Sequence, residues 1–508
     1  MMRNRISLLL LALLWVVLPV QGQADLSRLD AYFEGARKAW DVPGMAVAII
    51  KDGQIVHLAG YGARDLDSGE LVDEHTLFAI ASNTKAFISA SVASLVDEGV
   101  LTWDDRIVDH VPYFRLVDEV AGQRATLRDA LSHGIGLGTY SGDVVWFKSD
   151  KTSEEVLRNV AFLPPAFEFR SGYAYNNIMF IAVGEVIGSA SGMPWESYIS
   201  NHFFEPLGMS RSTTSAEAAL KKGNVATPHK VHYGENVAVP WTSWSGSGAG
   251  AAAGVISTAH DMAQWVTLHL NEGVVGEDTL FSAAEQREMR RPHYNYQPNS
   301  QTYPGQNFSG YGLAWGISEY RGHTVVAHSG AYDGMYSRVA MVPDQELGVV
   351  VLTNTMKGIG TWLVYDLIDA YLGSSVRNWS RFGLARDERA RASFDRRLDE
   401  HRGARKPGTL PTLAVADMAG TYHDPLYGEV VVLERDGVFR LEFPRAIRLG
   451  ATLTHWQDDT WQINWDERHA WFDFGTVTFT IDDDGQVDGL EFSVPNDDIF
   501  FEEIHPKK

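Results

Sequence analysis

The chain has 508 residues, of which 45% are hydrophobic and 21% charged, and its formal net charge is -22. This length and balance predict two or three globular domains with sizeable cores. The negative charge argues against nucleic acid or an anionic membrane surface as a partner, and the absence of cysteine excludes disulfides, thiolate catalysis and Cys-bound zinc.

The N-terminus has the features of a secretory signal peptide. Arg3 and Arg5 precede an apolar run from Ile6 to Val20, and small residues then permit cleavage after Ala24. The alternative interpretation is an uncleaved anchor. We expect a periplasmic or secreted protein without a stable membrane span after cleavage, because no later apolar run is long enough to cross a bilayer.

The first elements of the mature chain are a hairpin followed by helices. Two apolar runs within Gly44–Gly62 flank Asp52 and Gly53, a favoured two-residue turn, and predict paired strands. Apolar residues at spacings of three and four predict a helix from Thr84 to about residue 100. The clearest helix of the long middle region is predicted over Tyr175–Ser191.

Strands return late in this part of the chain. His323–Gly330 and Ser337–Asn354 have the apolar content of successive antiparallel strands. Strands at both ends with helices between them predict an α+β fold, in which one antiparallel sheet is built from distant segments and is flanked by helices with a helical insertion. We assign residues 1–24 to the signal peptide and 25–382 to this domain.

The composition changes after residue 382. Residues 383–411 are charge-dense and end in Pro, Gly and Thr, which predicts an exposed helix and a linker. Hairpins are then predicted at Gly428–Phe443 and Val477–Val494, so residues 412–508 form a separate antiparallel β-barrel or sandwich. The four tryptophans between these hairpins fit core positions or, alternatively, the lining of a ligand cup: Trp456, Trp461, Trp465 and Trp471.

A serine and a lysine three residues apart, Ser82 and Lys85, stand at the start of the first predicted helix. One helical turn separates them, so both side chains lie on the same face. A helix N-terminus favours negative charge, and a desolvated lysine can accept the serine proton. This spacing predicts a nucleophile with its base, although one such pair is also expected by chance in a chain of this composition.

Two further short motifs have the polar groups that such a site requires. Tyr175 and Asn177 form the single Tyr-x-Asn of the chain and could supply a proton shuttle and an amide for substrate; a capping Asn beside a packed Tyr is the alternative. His328, Ser329 and Gly330 end an apolar strand whose edge could pair with a substrate. Glycine there permits close backbone approach.

These three motifs, in this order on helix start, helix start and strand end, resemble those of the serine β-lactamase and penicillin-binding-protein superfamily. The Tyr-x-Asn form is similar to the class C β-lactamase branch, which includes DD-peptidases, D-aminopeptidases and esterases. Three other stretches resemble the same branch: Thr126–Leu137, Gly254–Trp265 and Tyr311–Ile317. The resemblance runs from Leu29 to Leu372, and the C-terminal strands resemble a small lipocalin-like domain that some members carry.

The resemblance implies a role for each motif residue. Ser82 would be the acylated nucleophile, and Lys85 and Tyr175 would form the proton-transfer system. Asn177 would bind substrate. The backbone N–H groups of Ser82 and Ala331 would form the oxyanion hole.

The motifs depart from the family pattern at two positions. Asn176 takes the place of the usual middle Ser of the second motif, where the side chain need not face the site. His328 replaces the Lys that class C β-lactamases usually have in the third motif, and a neutral His binds a carboxylate less well than Lys at pH 7. Ser329, Gly330 and Ala331 would complete the substrate-binding strand.

The sequence therefore predicts a serine hydrolase that works through an acyl-enzyme on small peptides, amides or esters, including substrates with D-residues. A class C-type β-lactamase is the second hypothesis. A non-catalytic protein that binds cell-wall fragments is a third, from another functional class. We expect a small-molecule or peptide substrate and no metal or organic cofactor, and the sequence leaves the oligomeric state open.

Overall fold

A computed structural model of the chain describes residues 28–241, 250–299, 301–303, 306–373 and 377–508. The predicted signal peptide lies outside the described residues. Within the described ranges, no single helix is long and apolar enough to cross a membrane, and one bent pair, Ile178–Ser191 with Trp195–Phe204, reaches that length and composition together.

The strands form two large antiparallel sheets and three short pairs. Their bounds are β1 Gly44–Lys51, β2 Gln54–Gly62, β3 Phe78–Ala79, β4 His229–His232, β5 Glu235–Ala238, β6 Ile256–Ser257, β7 Val274–Val275, β8 Asp278–Thr279, β9 Tyr294–Tyr296, β10 Ser309–Tyr311, β11 Gly316–Tyr320, β12 His323–Tyr332, β13 Met335–Val342, β14 Leu347–Thr353, β15 Gly420–Asp424, β16 Gly428–Arg435, β17 Val438–Glu442, β18 Gly450–Gln457, β19 Thr460–Trp465, β20 Thr476–Ile481 and β21 Val487–Ser493.

Most of the helices lie in the chain between β2 and β9, two strands of the first sheet. Their bounds are α1 Leu29–Ala39, α2 Thr84–Asp97, α3 Ile107–His110, α4 Glu119–Arg124, α5 Leu127–Leu131, α6 Asp143–Trp146, α7 Ser153–Asn159, α8 Ile178–Ser191, α9 Trp195–Ile199, α10 Ala216–Lys222, α11 Gly250–Ala253, α12 Ala259–Leu270, α13 Ala283–Met289, α14 Ile359–Tyr371, α15 Trp379–Gly403 and α16 Val415–Met418.

The first sheet joins distant parts of the chain. Its order is β2-β1-β14-β13-β12-β11-β10-β9, so β1 from the N-terminal hairpin pairs with β14, as in the pair Met45 and Thr353. The hairpin turn is at Asp52 and Gly53, whose positive φ values of 51° and 72° fit the twist of a tight two-residue turn. The predicted α+β fold with one antiparallel sheet is confirmed.

Both faces of the first sheet are buried. Successive side chains of a strand point to opposite faces, so Ala46 and Ala48 join the core beneath α2, α8 and α12, while Met45 and Val47 join a second core beneath α1 and α14. A strand covered on both sides needs apolar residues throughout, which explains the unbroken apolar run of β1.

The second sheet, β15 to β21, curls into a barrel. Lys507 pairs with His423 on β15 and with Gly489 on β21, so one residue bridges the first and last strands. The predicted C-terminal antiparallel barrel is confirmed. The helix preceding it, α15, starts at Trp379 and ends at Gly403.

The tryptophans of the barrel belong largely to its packing. Trp461 is buried and stacks edge-on against Phe439, and Trp465 packs on Phe443 and Phe472. Trp456 instead lies beneath the guanidinium of Arg405.

Candidate active site

Ser82 stands in a short 3-10 turn, Ala81–Asn83, immediately before α2. Ala81 has a φ of +48°, a conformation that L-residues with a side chain rarely adopt, so the backbone is strained at the residue before the serine. Neighbouring contacts hold the turn in place. The Ser337 hydroxyl of β13 donates to the Ile80 carbonyl at 2.6 Å and accepts from the Asn83 amide at 2.7 Å.

Lys85 lies one turn further on and has no exposed surface. Its Nζ donates to the Ser82 Oγ at 3.0 Å, to the Asn177 Oδ1 at 2.7 Å and to the carbonyl of Ala252 at 2.8 Å. Burial lowers the pKa of Lys85 from its usual 10.5 to about 7, although nearby carboxylates oppose the change. The lysine is therefore poised to exchange a proton near neutral pH.

The three acceptors around Nζ decide where a neutral Lys85 would present its lone pair. A neutral amine keeps two N–H bonds and gains one lone pair. The Asn177 Oδ1 and the Ala252 carbonyl oxygen can only accept, so they retain the two N–H groups. The lone pair then faces the Ser82 hydroxyl, which is the geometry for removal of the serine proton.

Asn177, just before α8, is held between the side chains of Lys85 and Asp143. Its Oδ1 accepts from Lys85, and its Nδ2 donates to the Asp143 Oδ2 at 2.6 Å. The other oxygen of Asp143 accepts from the Trp146 indole at 2.9 Å. Burial raises the pKa of Asp143 well above its usual value. The Asp143 carboxylate thus fixes which way the Asn177 amide points.

Tyr175 places its ring against the lysine, with the Lys85 Nζ 4.9 Å from the ring centre. Burial raises the pKa of Tyr175 well above its usual value, and the neighbouring Ser82 hydroxyl partly opposes this rise. The Tyr175 hydroxyl is buried and completes no hydrogen bond of good geometry to another described residue. The Tyr175 hydroxyl is therefore unpaired beside Ser82 and Lys85.

His328 is a neutral residue in this setting. Burial and the Lys85 charge lower its pKa to about 3. Its Nδ1–H donates to the Ser329 carbonyl at 2.6 Å, and its Nε2 accepts from the Tyr311 hydroxyl at 2.9 Å. Tyr311 also packs on His133, whose ring lies 4.3 Å from that of Tyr175. A chain of rings thus links the third motif to the second.

Gly330 brings β12 directly onto the nucleophile turn. A Cβ at this position would lie 2.2 Å from the Ile80 carbonyl oxygen and 2.7 Å from the Ser82 backbone nitrogen, so no larger residue fits. Ser329 and Ala331 flank it on β12. The N–H groups of Ser82 and Ala331 therefore belong to segments in direct contact, which is the arrangement that an oxyanion hole needs.

Asn176 faces away from the lysine. Its Nδ2 donates to the carbonyl groups of Gly138 and Ser141, and its backbone N–H donates to the Nδ1 of His133. It braces the loop beneath Tyr175. Across the described ranges, no group of three or more His, Asp or Glu side chains is arranged to hold a metal ion.

Comparison with known proteins identifies the family. Residues 29–367 match the family model described as Beta-lactamase, and residues 404–508 match a domain of unknown function, DUF3471. The chain belongs to the β-lactamase family. The match covers both motif helices and strand β12, so this β-lactamase-family protein is a serine hydrolase.

Named relatives of this β-lactamase-family hydrolase span most of its length. An unguisins hydrolase of Aspergillus violaceofuscus is 32% identical over 81% of this chain and 78% of its own. Penicillin-binding protein 4 of Amycolatopsis lactamdurans is 27% identical over 67% of this chain and 88% of its own. The octameric penicillin-binding protein homologue from Pyrococcus abyssi shares the fold, with a TM-score of 0.60, 21% identity and coverage of 95% of this chain and all of that one.

The structure adds residues that the sequence did not single out for this hydrolase. Asp143 holds the Asn177 amide, the Ala252 carbonyl binds Lys85, and Asp498 of the C-terminal domain acts electrostatically on Lys85. His133 and Tyr311 lie in stretches that resemble the family, but neither has a motif spacing of its own. The one signal in the sequence is the isolated carboxylate of Asp143, directly before the short apolar run 144–147.

Proposed function

We propose that the protein cleaves amide or ester bonds of small peptides through an acyl-enzyme on Ser82. The observation that carries this proposal is the buried Lys85, with a pKa lowered to about 7 and its Nζ 3.0 Å from the Ser82 Oγ. A lysine placed in this way can accept the serine proton at neutral pH without any other base.

The proposed reaction proceeds in two acyl transfers. Neutral Lys85 accepts the Ser82 proton while Oγ bonds to the substrate carbonyl carbon, and the resulting oxyanion is held by the N–H groups of Ser82 and Ala331. The Tyr175 hydroxyl, beside Lys85, passes a proton to the leaving amine or alcohol as its bond to carbon breaks, and the Lys85 ammonium returns one to Tyr175. Water then attacks the acyl carbon and gives up a proton to neutral Lys85. The Ser82 Oγ receives that proton as its bond to the acyl carbon breaks, which releases the acid and restores Ser82.

The choice of peptides and esters over β-lactams rests on His328. The family resemblance implies that class C β-lactamases use a cationic Lys there to bind the substrate carboxylate, whereas His328 has a pKa of about 3 and both ring nitrogens engaged within the protein. The relative named as an unguisins hydrolase also supports the broader hydrolase assignment. We include substrates with D-residues in this proposal and rank β-lactam hydrolysis second.

A three-substrate assay tests the proposal. The purified protein is incubated with a p-nitrophenyl ester, a D-alanyl anilide and a chromogenic cephalosporin. We expect turnover of the ester or anilide that falls by about 10³-fold or more in Ser82→Ala and Lys85→Ala. Ser91→Ala is the matched control, because Ser91 is buried in the same helix and its hydroxyl donates to the Phe87 carbonyl of that helix.

Intact mass spectrometry separates the remaining outcomes. An acyl adduct on the wild-type protein that is absent from Ser82→Ala supports the mechanism. Unchanged turnover in Ser82→Ala would place the chemistry elsewhere. A folded wild-type protein with neither turnover nor adduct would favour the non-catalytic binding protein.

We also propose that the protein is exported to the periplasm or the medium. The support is the basic and apolar N-terminal segment with a cleavage position after Ala24. N-terminal sequencing of the mature protein tests this, with Asp25 as the expected first residue; an N-terminus that retains the apolar run would instead indicate an anchor.

A further inference from the structure

One tryptophan contacts both sides of the candidate active site. Trp146 ends α6 and is 3% exposed. Its indole N–H donates to the Asp143 Oδ1 at 2.9 Å, and its ring stacks on that of Tyr332 with the ring centres 5.9 Å apart. Asp143 orients the amide of Asn177, and Tyr332 directly follows Ala331 on β12. The lysine network and the strand expected to supply an oxyanion donor therefore meet at this one side chain.

The bond from Trp146 to Asp143 follows from the geometry of a single helical turn. The two residues are three apart in α6, so their side chains lie on one face. The Asp143 carboxylate has no exposed surface, and its two oxygens accept from Trp146 and Asn177. Loss of the indole N–H would leave the Oδ1 buried without this donor, while the charge of Asp498 repels the carboxylate. The carboxylate would then turn or take up a proton, and in either case it would hold the Asn177 amide less firmly.

Both ends of α6 are held, so Trp146 has a fixed position. At the start, Gly142 has a φ of +85°, and a Cβ there would lie 2.4 Å from the Cδ1 of Ile178 on α8. At the end, the Lys148 Nζ donates to the Nδ1 of His469 in the barrel at 2.9 Å. Because α6 cannot shift freely, a change of the Trp146 side chain acts on its two contacts and not on the position of the helix.

The ring contact restrains the end of β12. Tyr332 is the last residue of this strand and is buried, and the chain then turns at Asp333 and Gly334, which have positive φ values of 39° and 93°. The flat indole against the Tyr332 ring limits the movement of this strand end. The neighbouring Ala331 N–H must stay within hydrogen-bond distance of an oxyanion that forms on the substrate. A looser strand end would therefore weaken the proposed oxyanion hole.

We propose that Trp146 is a positioning residue that holds the lysine network and the oxyanion strand in one arrangement. Its N–H acts through Asp143 and Asn177 on proton transfer by Lys85, and its ring acts through Tyr332 on the oxyanion hole. This inference rests on the proposed acyl-enzyme function.

Three variants separate the two contacts from a general effect on the core. Trp146→Phe keeps a ring beside Tyr332 and loses the N–H, whereas Trp146→Leu loses both. Trp379→Phe is the matched control, because Trp379 is 1% exposed and its indole donates to the Asp369 Oδ2 at the same distance of 2.9 Å. Trp379 belongs to the second core, beneath α1 and α14, on the other face of the first sheet.

Steady-state kinetics with a p-nitrophenyl ester and chemical denaturation are measured for each variant. We expect Trp146→Phe to lower kcat by about 10- to 100-fold, the range for one hydrogen bond to a charged group. KM should stay within about twofold, because acylation and deacylation use the same lysine and oxyanion donors. Trp146→Leu should lower kcat further. Trp379→Phe should lose stability as Trp146→Phe does but keep kcat within about twofold of the wild type.

Double-mutant cycles test the two routes. In an Asp143→Ala background, Trp146→Phe should lower kcat by no more than about twofold further, since the carboxylate through which the N–H acts is absent. In a Tyr332→Leu background, Trp146→Leu and Trp146→Phe should differ in kcat by no more than about twofold, since the ring contact is already lost.

Other results overturn the inference. An unchanged kcat in Trp146→Phe, with the same loss of stability as in Trp379→Phe, would mean that Trp146 only supports the fold. Equal losses of kcat in these two variants would indicate a general effect of a weakened core, and full additivity in the cycles would exclude action through Asp143 and Tyr332. Each of these results can occur while wild-type turnover still depends on Ser82, so the inference can fail without the proposed function. A wild-type protein without Ser82-dependent turnover would overturn both.

Discussion

Lys85 shows how one buried side chain can be both a cost to the fold and the basis of the chemistry. A charged lysine without exposed surface is unfavourable, so folding lowers its pKa to about 7. Three acceptors compensate the ammonium when it is present. Two of them cannot donate, which reserves the lone pair of the neutral amine for Ser82.

The pH dependence of catalysis follows from this lowered pKa. The ammonium form predominates below pH 7 and the amine above it, and only the amine can accept the Ser82 proton. We therefore expect kcat/KM for a p-nitrophenyl ester to rise with pH through an inflection near 7 and to level off above about pH 8. Initial rates between pH 5.5 and 9, corrected for spontaneous hydrolysis, measure it.

The outcome that contradicts this expectation is a profile that is flat, or that falls, between pH 6 and 8. An inflection near 10 would mean that Lys85 keeps the pKa of an exposed lysine. Thermal unfolding at each pH is the control, because a loss of folded protein at one extreme would imitate a titration.

The sequence predicted the local pairs of the site and missed its distant members. Ser82 and Lys85 are one helical turn apart, so their meeting follows from helix geometry alone. Asp143 and Asp498 act electrostatically on Lys85 only because α6 and the barrel pack nearby, and no local spacing in the sequence indicates that proximity. His328 was recognised by its strand, but its neutral state depends on burial that the sequence does not show.

Helix packing sets the positions of the groups around Lys85. Asn177 immediately precedes α8, and the Ala252 carbonyl belongs to α11. The two helices approach closely at Gly184, where a Cβ would lie 2.7 Å from the Cβ of Ala251. This glycine lets the two helices bring their acceptors to one nitrogen atom.

Gly184→Ala is expected to push α11 away from α8. We expect a loss of about 1 to 3 kcal/mol in unfolding free energy, as for other overpacked sites, and a lower kcat because the Ala252 carbonyl moves relative to Lys85. Gly188→Ala on the same helix is the matched control. A Cβ there meets only the Met193 carbonyl oxygen at 3.8 Å, so helix propensity should leave stability unchanged or raise it by up to about 1 kcal/mol.

Chemical denaturation and ester kinetics of both variants provide the measurement. Equal stability of Gly184→Ala and Gly188→Ala would show that α11 moves without cost. Reduced stability with an unchanged kcat would mean that the position of the Ala252 carbonyl is unimportant for the lysine.

The hairpins were the elements that the sequence predicted best. Asp52 with Gly53, Asp436 with Gly437, and Asp484 with Gly485 mark turns between strands, and each lies between the strands of an observed hairpin. Such turns are local, because the residue types favour positive φ. The middle helix starts at Ile178, so Tyr175 and Asn177 precede it. Asn177 is the N-cap residue by position, as the alternative interpretation of the motif had it, but its side chain makes no capping hydrogen bond.

The two matched regions of the chain share one continuous core. The buried cluster beneath α2 and α8 extends without a break into the barrel residues from Met418 to Ile504. Phe147 of the first region packs edge-on against Phe472 of the barrel at 5.9 Å. Charged contacts surround this junction, among them Lys230 with Asp473 at 2.7 Å. This junction therefore holds the barrel against the active-site segment.

Because the core is continuous, we expect the whole protein to unfold in a single cooperative transition. Calorimetry should give one peak whose calorimetric and van't Hoff enthalpies agree. Phe472→Ala should lower the stability of that one transition by about 3 to 5 kcal/mol, since it empties a buried position at the junction. Phe162→Ala, at a side chain that is 54% exposed, is the control and should stay within about 0.5 kcal/mol of the wild type.

Two separate peaks, with Phe472→Ala shifting only one of them, would show that the barrel unfolds independently. In that case the barrel could detach while the serine hydrolase domain stays folded, and Lys85 would lose the electrostatic influence of Asp498.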